Sequence, residues 1–176
     1  AVGEGCDGAV ARGLAVIGKN LDRAVDKGKL SSGDRDDTLA RIKTSTDLSN
    51  MADVDYVVEA TVEREDLKFK LFRELDEICP PPVILGTNTS SIPIGRIASQ
   101  TERPDKVIGM HFMNPVPIMK LVEVIKGYKT SDEVLKQVMD MSKTLGKVPV
   151  EVNDFPGFVA NRVLMPMINE AIITLN

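Results

Sequence analysis

The feature of this sequence that most restricts its fold is a repeated alternation of short apolar runs and longer amphipathic segments. The short runs are mostly apolar, as in strands that are buried on both faces, and they occupy 56–60, 83–85, 107–110, 121–125 and 147–152. Apolar residues at helical spacing occupy 9–27, 34–42, 67–78, 94–99, 131–145 and 158–175. This alternation predicts an α/β fold with a mostly parallel sheet and helices on both faces.

The composition is that of an ordinary globular protein and excludes several classes of partner. Of the 176 residues, 43% are apolar and 27% are charged, and the net charge is −4. Basic residues alternate with acids, so we expect no nucleic acid partner. No apolar run approaches the roughly 18 residues of a membrane span, so we expect no membrane partner. Cys6 and Cys79 suggest no disulfide framework, which favours a reducing compartment, cytoplasmic or an organelle matrix.

The only histidine of the chain, His111, follows an apolar run, and Glu123 lies in the next one. Pro115 and Pro117 stand between them and impose a bend, because proline fixes φ and cannot donate to a strand ladder. A hairpin of this length could bring the carboxylate to the imidazole, and a histidine oriented by a carboxylate is a general acid/base. The alternative is a surface histidine beside a solvated acid.

Polar residues follow three of the predicted strands. Glu63 comes after the first, 88–91 after the second and 111–114 after the third. In parallel sheets, ligands bind in the crevice at the carboxyl ends of the strands. These three positions are therefore the predicted edge of a binding site.

Five motifs in order give the chain a resemblance to a known family. They are VVEATVE at 57–63, TNTSS at 87–91, HFMNP at 111–115, MKLVE at 119–123 and PGFVANR at 156–162. Together they resemble the NAD-dependent L-3-hydroxyacyl-CoA dehydrogenases, and within that family the bacterial 3-hydroxybutyryl-CoA dehydrogenases. The resemblance covers nearly everything from about Gly13 to Asn176.

The resemblance implies an oxidoreductase that interconverts (3S)-3-hydroxyacyl-CoA and 3-oxoacyl-CoA with NAD(H). His111 would take the proton from the substrate hydroxyl, and Glu123 would hold the imidazole. Ser90 and Asn161 would bind the substrate oxygens. These two residues have an alternative as helix caps, Ser90 before Ile94 and Asn161 for the terminal helix.

The resemblance also implies contacts with the NAD cofactor. Glu63, Lys68 and Asn114 would lie on the cofactor side, with Ser90 serving both cofactor and substrate. Lys68 could also meet phosphate or acyl-CoA, and its alternative is a solvated lysine on a charged helix face.

The sequence departs from the family at both ends. Gly3, Gly5 and Gly8 match G-x-G-x-x-G, but no apolar strand leads into them and none ending in an acid follows. Chance, or a spliced or mis-started N-terminus, is therefore favoured over a working phosphate loop. We therefore expect residues 1–154 to be an incomplete Rossmann-like domain that lacks the first strand, its helix and the second strand. Residues 155–176 would be the first helix of a truncated helical domain.

Two consequences of this expected truncation follow. The terminal helix carries a wide apolar surface, which predicts a homo-oligomer formed through it. The chain as given could also be inactive, which leaves a non-catalytic acyl-CoA-binding or interaction fragment as an alternative. A second alternative is an NAD-dependent sugar-acid dehydrogenase, since related enzymes share the histidine and the Asn-Thr-Ser-Ser segment.

Overall fold

The computed structural model of the protein describes residues 6–175. Contacts within the chain divide it into two compact units, residues 1–50 and residues 51–176. The predicted boundary between residues 154 and 155 stays a prediction. The two units are described separately below.

The first unit is a pair of helices, α1 (Cys6–Asp26) and α2 (Ser32–Ala40). Gly28 ends α1 as predicted, with a φ of 64° that suits glycine best, and its N–H donates to Val25 O at 2.8 Å. Ser31 begins α2 by accepting a hydrogen bond from Asp34 N at 3.0 Å.

The glycine motif of the sequence falls at the start of this unit. Gly8 is part of α1, and Gly3 and Gly5 lie outside the described residues. The role of this motif therefore stays a prediction.

The second unit contains a five-stranded sheet and four helices. Its strands are β1 (Tyr56–Glu59), β2 (Ile84–Thr87), β3 (Val107–Phe112), β4 (Leu121–Lys126) and β5 (Val148–Asn153). Its helices are α3 (Glu65–Ile78), α4 (Ile94–Ala98), α5 (Asp132–Thr144) and α6 (Ala160–Thr174). Short 3-10 turns occur at Leu48–Asp53 and Pro104–Lys106. Each predicted strand and helix is present, with ends that differ from the prediction by at most three residues.

The sheet is mixed, with strand order β1-β2-β3-β4-β5. Three of its pairings are parallel, as expected from the sequence, and β3 with β4 is antiparallel. The short segment 113–120 joins β3 to β4 and can close only a hairpin, because a parallel return needs a longer crossover. The register of this hairpin places His111 opposite Glu123.

One prediction about the hairpin was wrong in detail. His111 was expected just after its strand, but it is the fifth residue of β3. The strand continues because Phe112 N still has a partner, the side-chain oxygen of Asn88 at 2.9 Å. His111 consequently has the fixed geometry of a strand residue rather than that of a loop.

An apolar cluster lies on the sheet face that α5 covers. Its buried members are Ile84, Ile108, Met110, Val122, Val124, Val134 and Val138. Successive side chains of a strand point to opposite faces, so His111 and Glu123 point away from this cluster. Both faces of β3 and β4 are buried, which explains why their sequences are nearly continuous apolar runs.

Helix α6 differs from α3, α4 and α5 because none of its residues is buried, although most of them are apolar. Val163, Met165, Met167 and Ile168 are among its exposed side chains. Within residues 6–175, no helix combines the length and the apolar character needed to cross a bilayer.

Candidate active site

The centre of the site is the pair His111 and Glu123. The imidazole Nδ1 lies 2.8 Å from Glu123 Oε2, and both residues are buried, with 6% and 3% of their surface exposed. An ionised carboxylate can only accept, so Nδ1 carries the hydrogen of the neutral ring and Nε2 is an acceptor. Ser90 Oγ lies 3.1 Å from Nε2 and donates to it. The alternative of a surface histidine beside a solvated acid is therefore wrong.

The second oxygen of Glu123 is held by the beginning of α6. Oε1 accepts hydrogen bonds from Val159 N at 3.0 Å and from Ala160 N at 2.8 Å. The first N–H groups of a helix lack intrahelical partners and carry the positive end of the helix dipole. Glu123 thus satisfies these donors and receives charge stabilisation in return. Helix α6 begins at Ala160 rather than at Phe158, where the apolar periodicity starts, because Phe158 has a positive φ that a right-handed helix cannot contain.

Glu63 organises the loop that presents Ser90. Its Oε1 accepts from Thr89 Oγ1 at 2.6 Å, Ser90 N at 2.8 Å, Ser91 N at 2.9 Å and Ser91 Oγ at 2.9 Å. Burial alone would raise the pKa of Glu63, but these hydrogen bonds outweigh it and leave the pKa below its ordinary value. Glu63 is therefore ionised at neutral pH and fixes the backbone from which Ser90 reaches His111.

Ser90 does not cap a helix, so that alternative is also wrong. The N-terminus of α4 is held by Asp154, whose two oxygens accept from Ile94 N and Gly95 N at 2.8 Å each. Asp154 comes from the segment after β5, far away in sequence. The local pattern before Ile94 gave no sign of this partner.

Lys68 lies behind Glu63 and is completely buried, which excludes the alternative of a solvated lysine. Its Nζ lies 2.7 and 2.9 Å from the two oxygens of Glu59 and 3.6 Å from Glu63 Oε2. Thr61 and Thr87 also donate to Glu59. Burial raises the pKa of Glu59, but the hydrogen bonds from Lys68 and both threonines lower it below its ordinary value.

Glu59 was missed by sequence reasoning. It stands inside the apolar run 56–60, and a charged residue in a strand that is otherwise buried needs a partner. This requirement could have identified Glu59 from the sequence, and Lys68, nine residues later, could have been proposed as its partner.

The two remaining candidates differ in how closely they approach the pair. Asn161 lies in the first turn of α6 without capping it, and its Nδ2 is 3.5 Å from Ser90 O. The cap alternative is therefore wrong for Asn161. Asn114 is exposed beyond the end of β3, and within residues 6–175 its side chain makes no hydrogen bond. The structure thus brings Asn161 to Ser90 and leaves Asn114 at the rim.

The geometry suits the nicotinamide end of a dinucleotide. Strands β1, β2 and β3 are parallel, so their carboxyl ends share one edge, where ligands bind in open α/β sheets. At this edge Glu63, Ser91 and Asn114 offer exposed carboxylate, hydroxyl and amide groups. Such groups match the carboxamide and ribose hydroxyls of a nicotinamide nucleoside.

Comparisons with known proteins show the family of the chain. Residues 4–155 match the family model described as 3-hydroxyacyl-CoA dehydrogenase, NAD binding domain. A probable 3-hydroxybutyryl-CoA dehydrogenase of Deinococcus radiodurans is 54% identical over 161 residues, which are 92% of this chain and 58% of the relative. The 3-hydroxybutyryl-CoA dehydrogenase of Clostridioides difficile is 50% identical over 165 residues, 94% of this chain and 59% of the relative.

A solved structure shows the same fold. The crystal structure of (S)-3-hydroxybutyryl-CoA dehydrogenase from Ralstonia eutropha superimposes with a TM-score of 0.94 at 48% identity, over 96% of this chain and 60% of that one. The chain thus spans less than two thirds of the length of each of these relatives. On the match to the family model and the identity to its members, the chain belongs to the 3-hydroxyacyl-CoA dehydrogenase family, through the NAD-binding domain.

Proposed function

We propose that the protein interconverts (3S)-3-hydroxyacyl-CoA and 3-oxoacyl-CoA with NAD(H). The observation that carries this proposal is the buried imidazole of His111, held by Glu123 on Nδ1 and meeting Ser90 on Nε2. Such an arrangement presents a proton acceptor in one fixed direction, which is what oxidation of an alcohol requires.

His111 can accept the proton that the reaction releases, and NAD can accept the hydride. In the oxidative direction the substrate hydroxyl proton passes to His111 Nε2, the C3 carbon becomes a carbonyl, and the imidazole becomes positively charged. NAD, when bound, supplies the acceptor for the hydride that leaves C3. Glu123 stabilises the charged imidazole, and its own position is maintained by the N–H groups of Val159 and Ala160. In the reductive direction the same proton returns to the alkoxide oxygen.

We assign the remaining groups to binding. Ser90 and Asn161 would hydrogen-bond the substrate oxygen, with Ser90 also facing the cofactor. Glu63 and Asn114 would contact the nicotinamide ribose and carboxamide. Lys68 is buried, so it would not contact the cofactor directly. Its ammonium lies beside Glu59 and Glu63 and would affect cofactor binding through Glu63.

The acyl-CoA assignment is favoured over a sugar acid by the relatives. The Deinococcus and Clostridioides proteins are both named for a 3-hydroxybutyryl-CoA substrate. A further relative in Escherichia coli, 43% identical, is named 3-hydroxyadipyl-CoA dehydrogenase. All three names contain a 3-hydroxyacyl thioester of CoA. We therefore propose 3-hydroxyacyl-CoA thioesters as the substrate class and do not assign the length of the acyl chain.

The test of this function is oxidation of NADH by the 176-residue chain, with acetoacetyl-CoA as substrate. We expect loss of NADH absorbance that depends on the thioester, and no loss with a 3-oxo sugar acid at the same concentration. Turnover of the sugar acid alone would move the assignment to that class. Calorimetric binding of acetoacetyl-CoA without NADH binding or turnover would instead show a binding fragment and contradict the proposal for this chain.

We also propose that the chain forms a homo-oligomer through α6. Its exposed apolar residues make a broad surface, and such surfaces mark interaction sites. Light scattering at tens of micromolar should give a mass above the 19.2 kDa of one chain. Ile168→Lys should lower that mass, because it places a charge in the apolar surface. Gln137→Lys, which adds the same charge at an exposed position of α5, should leave it unchanged. A monomeric wild-type chain would contradict the proposal.

A further inference from the structure

Phe158 has an unusual backbone conformation for a large side chain. Its φ is 50°, and it is the one non-glycine residue with a positive φ among residues 6–175. The preceding Gly157 has a φ of 75°. The left-handed region disfavours bulky L-residues, so the surrounding packing must compensate for the strain, and residues of this kind concentrate at functional sites.

The turn at Phe158 directs two backbone donors towards the active site. Its own N–H closes the turn on Phe155 O at 2.8 Å. The next two N–H groups, those of Val159 and Ala160, then point at Glu123 Oε1. The strained conformation is thus located where the chain changes direction to bring the beginning of α6 onto the carboxylate.

The side chain of Phe158 lies against the imidazole itself. It is 2% exposed, and its ring centroid lies 5.8 Å from that of His111 with the two planes at 59°. This tilted arrangement is a favourable geometry for aromatic pairs. The orientation of the His111 ring is therefore restricted by three contacts: with Glu123 at Nδ1, with Ser90 at Nε2 and with the ring of Phe158.

We propose that Phe158 is a positioning residue for His111, on the basis of the function proposed above. Its left-handed turn places the N–H groups that hold Glu123, and its ring prevents the imidazole from rotating away from Ser90. One residue thereby controls both the orientation of the carboxylate and the orientation of the base. Its effect on catalysis passes through His111, and no contact with substrate is required.

The kinetic test replaces the ring with an aliphatic side chain, Phe158→Leu. We expect kcat for acetoacetyl-CoA reduction to fall about tenfold or more, because small displacements of a catalytic group are costly. The KM values for NADH and for acetoacetyl-CoA should stay within about twofold, because Phe158 binds neither. A kcat within about twofold of wild type would overturn the proposal.

A second readout does not depend on turnover. His111 is the only histidine of the chain, so its ring nitrogens give a single pair of signals in ¹⁵N NMR. In wild type the signals should report one tautomer with a slowly exchanging Nδ1–H, and in Phe158→Leu that hydrogen should exchange faster. Unchanged signals would overturn the positioning role. Changed signals in a chain without turnover would support it while rejecting the proposed function.

Two controls separate positioning from general loss of stability. Phe155→Leu alters an exposed ring, 62% exposed, in the same segment and should change neither readout. Val138→Ala removes a buried side chain from the opposite face of the sheet and should lower thermal stability without altering kcat or the histidine signals. If Val138→Ala changed kcat and the histidine signals as Phe158→Leu does, the changes in both variants would result from lost stability, and the proposal would fail.

Phe158→Gly provides a further variant if the leucine does not fold. Glycine adopts a positive φ without strain, so the turn and the N–H groups at Glu123 should persist while the ring is lost. We expect kcat to fall by more than about twofold from wild type, and the Nδ1–H of His111 to exchange faster than in wild type. Wild-type behaviour of Phe158→Gly would overturn the role of the ring.

Discussion

Replacing His111 with glutamine should lower kcat for acetoacetyl-CoA reduction by about 10²- to 10⁴-fold, the usual contribution of a general acid/base. Glutamine has a similar reach but cannot take up or release a proton near neutral pH. The loss should therefore appear in kcat, measured as steady-state NADH oxidation at saturating substrate. Binding of acetoacetyl-CoA, measured by calorimetry, should change much less.

The matched control for this substitution is Lys136→Gln. Lys136 pairs with Asp140 on the exposed surface of α5, which packs on the sheet face opposite to the side chains of His111 and Glu123. It should leave kcat and substrate binding at wild-type values. If His111→Gln retained activity within about tenfold of wild type, His111 would not be the proton-transfer group.

Replacing Lys68 with methionine should destabilise the protein by about 3–5 kcal/mol, because it leaves the Glu59 carboxylate buried without its counter-charge. The side chains of Lys68 and Glu59 are 1% and 0% exposed. Urea unfolding followed by tyrosine fluorescence is a suitable measurement. Both tyrosines, Tyr56 and Tyr128, lie in the unit of residues 51–176, so the signal reports that unit.

The pH dependence of this effect has a defined sign. The native pKa of Glu59 lies below its ordinary value of 4.5, so its stabilising contribution is complete above 4.5 and is lost as the pH falls through the native pKa. In Lys68→Met, protonation relieves the unpaired charge. Without the ammonium, burial raises the pKa of Glu59 in the variant, so the difference between wild type and variant should begin to shrink above pH 4.5 and should shrink further as the pH falls through the lower native pKa of Glu59 in wild type.

A double variant and a surface control complete the test. Glu59→Gln combined with Lys68→Met removes both charges and should recover part of the lost stability. Lys136→Met breaks an exposed pair and should have little effect. If Lys68→Met behaved like Lys136→Met, the buried pair would not contribute as the structure indicates.

The sequence predicted the strands of the second unit because burial on both faces demands apolar runs, and runs of this kind are visible without coordinates. It also predicted the meeting of His111 and Glu123, because two strands joined by a short proline-containing segment can pair only as a hairpin. Both inferences depend on local rules of chain geometry. These rules hold wherever the rest of the chain is placed.

The contacts that the sequence did not predict join segments that are distant along the chain. Glu123 meets the beginning of α6, 36 and 37 residues later, and Asp154 meets α4, which lies about 60 residues earlier. Ser90 and Asn161 were open to assignment as helix caps because local spacing alone allows it. The actual partners of both helix ends are carboxylates supplied by the fold.

The sequence by itself determined the alternation of strands and helices, the hairpin that pairs His111 with Glu123, and, through its motifs, the family. Only the tertiary structure decided that Glu59 neutralises Lys68, that Glu63 shapes the loop of Ser90, and that Phe158 adopts a left-handed turn against the imidazole. The physical reason is that periodicity follows from the local geometry of the chain. Pairing of a buried charge or strain in a turn depends on which distant groups pack around it.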